Sequence, residues 1–109
     1  MKKKVTYFQM PKNIFFNGDI SATAKLLYCL LYDMRRAEKS AKKEDAKLYV
    51  TIKQKKLAEL MQVSSRQLIR LLQELEELHY IRIERYANDV NQYYILPPEL
   101  LPNSEQYMK

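Results

Sequence analysis

LAELMQVSSRQLIRLLQELEELHYIRI, residues 57–83, is the stretch that decides the fold. It contains a short amphipathic segment, a polar break at Val63-Ser64, and a longer segment whose leucines recur at helical spacing. Ser64 and Gln67 form the pattern of a capping box, in which each side chain bonds the backbone amide of the other residue. An alternating apolar run begins at Tyr80. Two helices joined by a tight turn and followed by a strand predict a helix-turn-helix with a β-hairpin wing.

The second helix of this motif separates an apolar face from a polar one. Its predicted buried stripe contains Leu68, Leu71, Leu72, Leu75 and Leu78. The opposite face carries Arg66, Arg70, Gln73 and Glu77. The helix is basic at its beginning and acidic at its end, which suits a recognition helix that enters a DNA groove by its first turns.

These features predict binding to double-stranded DNA. An arginine can contact guanine O6 and N7 and a glutamine can pair with adenine, although either side chain can hold phosphate instead. On the wing, strand alternation sends Arg82 and Arg85 to opposite faces, so only one of them can face a given duplex surface. The residues predicted to contact DNA are Lys53, Lys55, Lys56, Ser64, Ser65, Arg66, Gln67, Arg70, Gln73, Arg82, Arg85, Asn88 and Asn91.

Composition excludes several other classes of protein. A chain of 109 residues with 47% hydrophobic and 29% charged residues is typical of one globular domain. No apolar run is long enough to cross a bilayer and the Met-Lys-Lys-Lys start lacks a secretory signal, so we expect a cytoplasmic protein without membrane partners. One cysteine, one histidine and one glycine leave no metal site, nucleophile pair or phosphate loop. We therefore expect that the protein is not an enzyme, that it has no catalytic residues and that it binds no cofactor. Cys29 lies among leucines and is predicted to be a buried, unreactive thiol.

The net charge of +6 suits a polyanionic partner, but it is unevenly distributed. Residues 1–47 carry 11 Lys/Arg against five Asp/Glu, whereas residues 48–109 carry eight of each. Within the second half, the bases are concentrated between Lys53 and Gln73. The stretch 35–47 is highly charged and is predicted to form a solvated surface.

The remaining segments are assigned from local patterns. Residues 5–10 are predicted to form a strand or an extended arm and residues 13–18 a turn, and Ser21 caps a helix that runs to about Glu38. Residues 48–52 are predicted to form a strand. Thr51, near the end of this strand, could cap the first motif helix at about 53–62. The wing pairs residues 80–86 with 92–96 across the loop 87–91. We expect an α+β, mainly helical domain over residues 1–96, and a proline-containing tail or linker stub over 97–109.

The helix that follows Ser21 is apolar on nearly all sides between Lys25 and Asp33. In so small a domain, part of its cover is expected to come from a second subunit. The sequence therefore predicts a homodimer. The predicted interface residues are Tyr7, Phe8, Leu26, Leu30 and Tyr32.

Two blocks of sequence resemble the winged-helix N-terminal domain of plasmid replication initiators of the RepA_N type. The first is YFQMPK at residues 7–12, with Ile14-Phe15 and the AKLLY run at residues 24–28. The second is the SSRQ run at residues 64–67 with LLQELEEL at residues 71–78. The resemblance extends over residues 6 to about 96. It implies a dimerising winged helix that binds repeated sites in a plasmid origin and initiates replication.

Other roles share this biochemistry. The chain is also similar in size and architecture to the centromere-binding adaptors of tubulin-like plasmid partition systems, which repress their own operon. A plain transcriptional repressor of a mobile element is a third candidate. Replication machinery and a filament-forming partition NTPase are the further partners that these roles imply. A winged helix that binds only protein is the remaining alternative, and the Arg66/Arg70 face argues against it.

Overall fold

The computed structural model describes residues 10–41 and 49–101. These residues form a mainly helical α+β domain, and the predicted winged helix-turn-helix architecture is confirmed. The helices are α1 (Lys12–Phe15), α2 (Ala22–Ala41), α3 (Gln54–Met61) and α4 (Ser65–Glu77). The strands are β1 (Tyr49–Lys53), β2 (Ile81–Arg85) and β3 (Val90–Ile95), with single 3₁₀ turns at Ala87–Asp89 and Pro98–Leu100. None of the described helices is long and apolar enough to cross a membrane.

The three strands form an antiparallel sheet in the order β1-β3-β2. Tyr93 in the central strand lies opposite Val50 on one side and Ile83 on the other, and all three side chains are buried. The next row, formed by Thr51, Gln92 and Glu84, points to the other face because side chains alternate along a strand. The strand that precedes the helix-turn-helix thus pairs with the second strand of the wing.

The hydrophobic core lies between α2, α4 and the inner face of the sheet. The fully buried side chains of largest volume are Tyr28, Tyr93, Ile14, Leu27, Leu31, Leu57, Leu68 and Leu75. The predicted leucine stripe of α4 is confirmed at Leu68, Leu71, Leu72 and Leu75. Leu78, at the C-terminal cap of α4, is only partly buried.

Serine caps begin the two long helices, as the sequence predicts. The Ser21 hydroxyl accepts a hydrogen bond from the amide of Ala24 at 3.3 Å, and α2 extends beyond Glu38 to Ala41. The Ser64 hydroxyl accepts from the amide of Gln67 at 3.1 Å. The hydrogen bonds among the described residues do not include the reciprocal bond from the Gln67 side chain, so only half of the predicted capping box forms.

One local prediction is wrong in part and another is wrong. The segment 13–18 forms a turn only after Phe15, because residues 13–15 belong to the short helix α1, in which the Pro11 carbonyl accepts from the amides of Ile14 and Phe15. Thr51 does not cap α3, because pairing with Gln92 keeps it inside β1. The residue before α3 is Lys53, whose backbone is extended and whose side chain makes no cap hydrogen bond.

The segment after β3 packs onto the domain as far as Leu101, which is buried. The side-chain amide of Asn13 donates to the carbonyl of Pro98 at 2.8 Å and joins this segment to α1. Except for Met10, the predicted strand or arm at 5–10 lies outside the described residues, as do residues 42–48 and 102–109.

The charged stretch at the end of α2 is not uniformly solvated. Arg36 is exposed, as predicted, and lies 5.9 Å from the centre of the Tyr32 ring. Arg35 is only 9% exposed, which contradicts the prediction for this residue. Composition predicts the solvated stretch, but helical geometry turns Arg35 inward, one turn after the buried Leu31.

Candidate nucleic-acid interface

A tight turn between α3 and α4 sets the angle of the helix-turn-helix. Gln62 ends α3 in the left-handed conformation, with φ 59° and ψ 43°. Its amide donates to the carbonyl of Glu59, and the amide of Val63 donates to that of Ala58, both at 3.1 Å. These two bonds satisfy carbonyls that the end of the helix would otherwise leave unpaired. The chain then enters α4 through the Ser64 cap.

The N-terminal half of α4 presents a polar, solvent-facing surface. Every residue of α4 predicted to contact DNA is exposed: Ser65, Arg66, Gln67, Arg70 and Gln73. Neither Arg66 nor Arg70 takes part in an ion pair between described residues. Their guanidinium groups are therefore available to an external partner.

This surface borders a groove of about 470 Å³ between α4 and the beginning of α2. Ser64, Arg66, Gln67 and Arg70 line the α4 side. Ser21 and Thr23 line the α2 side, and Glu74 lies at its end. The fold thus brings four of the predicted DNA contacts together and adds the first turn of α2 to them.

Glu74 has a role that the sequence does not reveal. One of its carboxylate oxygens accepts from the amide of Ser21 at 2.6 Å and the other accepts from the Ser21 hydroxyl at 2.9 Å. A residue of α4 therefore caps α2. The sequence shows only that Glu74 begins an acidic run, because its partner is 53 residues away.

Three lysines lie where the sheet leads into the helix-turn-helix. Lys53 ends β1, Lys55 and Lys56 lie in the first turn of α3, and all three side chains are exposed. Positive charge at the N-terminus of a helix opposes the helix dipole. Their placement therefore does not help α3 to form.

The two wing arginines project from opposite faces of β2, as predicted. Arg82 donates to Glu84 at 2.6 Å and stacks on the Tyr94 ring, 4.0 Å from its centre. The hydrogen bond raises the pKa of the Arg82 guanidinium and lowers that of the Glu84 carboxyl, to which Tyr86 also donates. Arg82 is thereby held on the outer face of the sheet.

Arg85 lies near the tip of the wing and faces α4. Its guanidinium pairs with Glu76 at 3.3 Å, and 58% of its side chain remains exposed. This ion pair connects the wing to the end of the second motif helix. An exposed pair of this kind is weak, so Arg85 retains the ability to contact another anion.

The two asparagines of the wing loop have different environments. Asn88 is exposed at the tip, with φ 64°. Asn91 is only 4% exposed, and its amide donates to the Tyr93 hydroxyl at 3.0 Å and to Gln54 at 3.4 Å. The prediction that Asn91 contacts DNA is therefore wrong, because β3 begins at Val90 and turns this side chain inward.

The predicted dimer residues do not share one surface. Tyr7 and Phe8 lie outside the described residues. Leu26 is 55% exposed, and Leu30, one turn later, is partly buried. Tyr32 lies on a different side of α2, where it stacks on Tyr28 with ring centres 6.1 Å apart.

Comparisons with known proteins agree with this geometry. Residues 18–81 match a family model of a helix-turn-helix domain. No curated protein matches the chain significantly.

Three solved structures are similar to this chain. One, described as "Structure of MDR initiator", is 21% identical, with a TM-score of 0.69 over 93% of this chain and 84% of that one. "N-Terminal domain of DNA binding protein" is 20% identical, with a TM-score of 0.70 over 97% and 92%. "Structure of Rep-DNA complex" is 21% identical, with a TM-score of 0.72 over 93% and 82%.

At such identities these structures establish a shared fold. The family model covers more than half of the residues and spans both motif helices and the turn between them. The chain belongs to the helix-turn-helix domain family.

Proposed function

We propose that this protein binds double-stranded DNA in a sequence-specific manner, with the first half of α4 in the major groove. The observation that carries the proposal is the exposed Arg66–Arg70 face, whose guanidinium groups form no ion pair with a described residue. Arg66, Gln67 and Arg70 are the side chains proposed to contact base edges. Ser64 and Ser65, at the beginning of the helix, are proposed to contact phosphate together with Gln73.

The proposed contacts to the DNA phosphate backbone lie on both sides of the recognition helix. Lys53, Lys55 and Lys56 form an exposed basic cluster whose position opposes the dipole of α3, so a phosphate partner gives them a role that helix stability does not. On the other side, Arg85 and Asn88 are proposed to contact the backbone from the tip of the wing. Arg82 remains a weaker candidate, since Glu84 and Tyr94 already hold it.

The biological role proposed for this binding is recognition of repeated sites in a replication origin. Support comes from two structures of the same fold, one described as an initiator and the other as a complex of Rep with DNA. A partition adaptor or an operator-binding repressor would use the same surface and bind different DNA. Replication machinery is the further partner that the origin-binding role implies.

We also propose that the protein acts as a dimer through the exposed side of α2. Leu26 is more than half exposed, and so are Phe15 at the end of the neighbouring α1 and Phe16, the residue that follows it. Lys25 connects the two helices, because its ammonium group bonds the Phe15 carbonyl and lies 5.7 Å from the Phe15 ring centre. Paired subunits would place two recognition helices on successive half-sites, as repeated DNA sites require.

The test is a fluorescence titration with duplex DNA that flanks the gene, in competition with random duplex at two salt concentrations. Wild-type binding should survive competition and weaken as salt rises, since phosphate contacts release counterions. Arg66→Ala and Arg70→Ala should each weaken specific binding by about 1–3 kcal/mol. The matched control is Arg36→Ala, which removes another exposed arginine, from the second half of α2.

Two results would contradict the proposal. A folded Arg66→Ala/Arg70→Ala double variant with wild-type affinity would exclude α4 as the recognition helix. Binding lost equally to any competitor would show only non-specific attraction to a basic surface. The role is tested separately by deleting the origin repeats from the duplex, since a partition or operator protein would retain its affinity.

A further inference from the structure

A second cavity lies at the end of the domain away from the first turns of α4. Its volume is about 590 Å³, it is open to solvent on one side, and it is lined by the second half of α2, the end of α4, the beginning of β2, the end of β3 and the segment after β3. Much of its wall is apolar, formed by Tyr80, Ile81, Ile95, Leu96, Pro97 and Leu100. Small-molecule sites are typically concave, predominantly apolar and about 300–1,000 Å³ in volume, with a few polar groups that fix the ligand.

The cavity contains one buried cation, Arg35. This side chain is only 9% exposed, and its Nε atom is inaccessible to solvent without a hydrogen-bond partner. No ion pair among the described residues includes it. A buried guanidinium N–H without an acceptor is unfavourable, and buried arginines normally pair with an anion such as a carboxylate or a phosphate.

Two carboxylates on the neighbouring elements α4 and β2 have partners of their own. Glu76 contributes to the lining, but its carboxylate pairs with Arg85. Glu84 accepts hydrogen bonds from Arg82 and Tyr86 on the outer face of the sheet. Among the described residues, no carboxylate pairs with Arg35.

We propose that this cavity binds a small amphipathic carboxylate. The carboxylate pairs with the guanidinium group of Arg35, whose planar donors match the geometry of a carboxylate. The apolar body of the ligand packs against Tyr80, Ile95 and Leu96. This site is separate from the proposed DNA surface, with which it shares only Arg82 at its rim, so it does not depend on the proposed function.

The surroundings of the cavity favour a small molecule over a docked protein. A stable protein interface needs a broad surface, of roughly 800 Å² per partner. Among the described residues, Leu100 is the large hydrophobic side chain that is both exposed and part of this lining. The other exposed hydrophobic side chains, such as Phe15, Leu26 and Leu60, are not part of the lining.

The proposal is tested by titrating isotope-labelled protein with 4-phenylbutyrate and with octanoate, each compared with its primary amide. The backbone amide resonances of Tyr80, Ile81 and Leu96 should shift saturably with at least one of the two acids. The corresponding uncharged amide should bind at least tenfold more weakly, because it cannot pair with the guanidinium group. Equal affinity of acid and amide, or shifts confined to other residues, would overturn the proposal, and so would the absence of saturable binding by both acids.

A variant locates the anion contact. Arg35→Met retains an apolar side chain but removes the charge, so it should abolish the preference for the acid and raise the melting temperature of the free protein. Arg36→Met, on the exposed neighbour, should change neither quantity. If Arg35→Met still prefers the acid to the amide, the assignment of Arg35 is overturned. A change in the oligomeric state of Arg35→Met, measured as molecular mass by light scattering, would also overturn it, because the occupant of the cavity would then be a second copy of the chain. If Arg35→Met does not fold, the comparison of acid with amide on the wild-type protein still decides.

Discussion

Glu74 of the recognition helix accepts two hydrogen bonds from Ser21, the residue that caps α2. The amide of Ser21 and its hydroxyl bond different oxygens of the same carboxylate, so the contact has a fixed orientation. The Ser21 hydroxyl also accepts from the amide of Ala24 within its own helix. One carboxylate therefore both caps α2 and fixes the position of α4 against it.

Removal of this contact should destabilise the domain. Glu74→Ala leaves the Ser21 amide without its partner, and loss of a helix cap typically costs about 0.5–2 kcal/mol. Urea unfolding followed by circular dichroism measures the difference. Glu77→Ala, an exposed position on the same helix, is the control and should lie within about 0.5 kcal/mol of wild type. Equal stability of the two variants would show that the contact contributes nothing to folding.

The left-handed residue in the motif turn offers a stabilising substitution. Gln62 has φ 59°, a conformation that costs a residue with a side chain roughly 1–2 kcal/mol and that glycine adopts freely. After allowance for the greater entropy of glycine in the unfolded chain, Gln62→Gly should stabilise the domain by up to ~1 kcal/mol. Thermal unfolding is the measurement. Gln73→Gly, within α4, should instead destabilise by ~1 kcal/mol, and a loss at both positions would contradict the role of the turn.

The single cysteine should be inert in the folded protein. Burial raises the pKa of the Cys29 thiol to about 11, so the reactive thiolate is scarce at pH 8. A thiol reagent such as iodoacetamide should modify the native protein far more slowly than the urea-unfolded chain. Because the folded state retains this proton longer than the unfolded state, stability should fall as the pH rises from about 9 to about 11. Rapid stoichiometric labelling of native protein would contradict the burial.

The dimer surface can be tested with a charge. Leu26→Lys places an ammonium group on the exposed side of α2 and should convert a dimer into a monomer, as sedimentation at micromolar concentration would show. Leu60→Lys is the matched control, since Leu60 is 47% exposed on α3 and lies outside the proposed interface. If wild-type protein is already a monomer at this concentration, the dimer proposal fails.

The two wing arginines should differ in their effect on DNA binding. Arg85→Ala should weaken binding to all DNA sequences. The slope of log affinity against log salt concentration should become shallower by roughly 1, the value for one lost phosphate contact. Arg82→Ala should weaken binding less than Arg85→Ala does, because Arg82 is held by Glu84 and Tyr94 on the outer face of the sheet. A titration of both variants over a range of salt decides between them. The reverse order of effects would place the outer face of the sheet against DNA.

Features fixed by local pattern could be predicted from the sequence. The leucine spacing of α4 determines its buried face, and Ser64 marks its first turn, so both follow from a short window of residues. The same helical periodicity predicts that Arg66 and Arg70 lie on the exposed face of α4. The hairpin follows from two β-prone runs on either side of a polar loop, although β3 begins at Val90, two residues before the predicted strand.

Features that depend on tertiary neighbours could not be predicted in this way. The asparagine at position 91 is typical of a loop, yet it is buried because Tyr93 and Gln54 provide acceptors for its amide. Glu74 belongs to an acidic run, and only the approach of α2 makes it a cap. For both residues, a deciding partner is distant in the sequence, Gln54 for Asn91 and Ser21 for Glu74.

The position of β3 at the centre of the sheet has a consequence for the newly made chain. β1 precedes the two motif helices and β2 follows them, but neither strand has its partner until β3 has been synthesised. A nascent chain that ends before Val90 therefore lacks every strand pairing seen in the described residues. The sheet is complete only when β3 pairs with β1 across the two motif helices, and such a long-range pairing is slow relative to helix formation. The ribosome must complete the wing before the domain can fold as one cooperative unit.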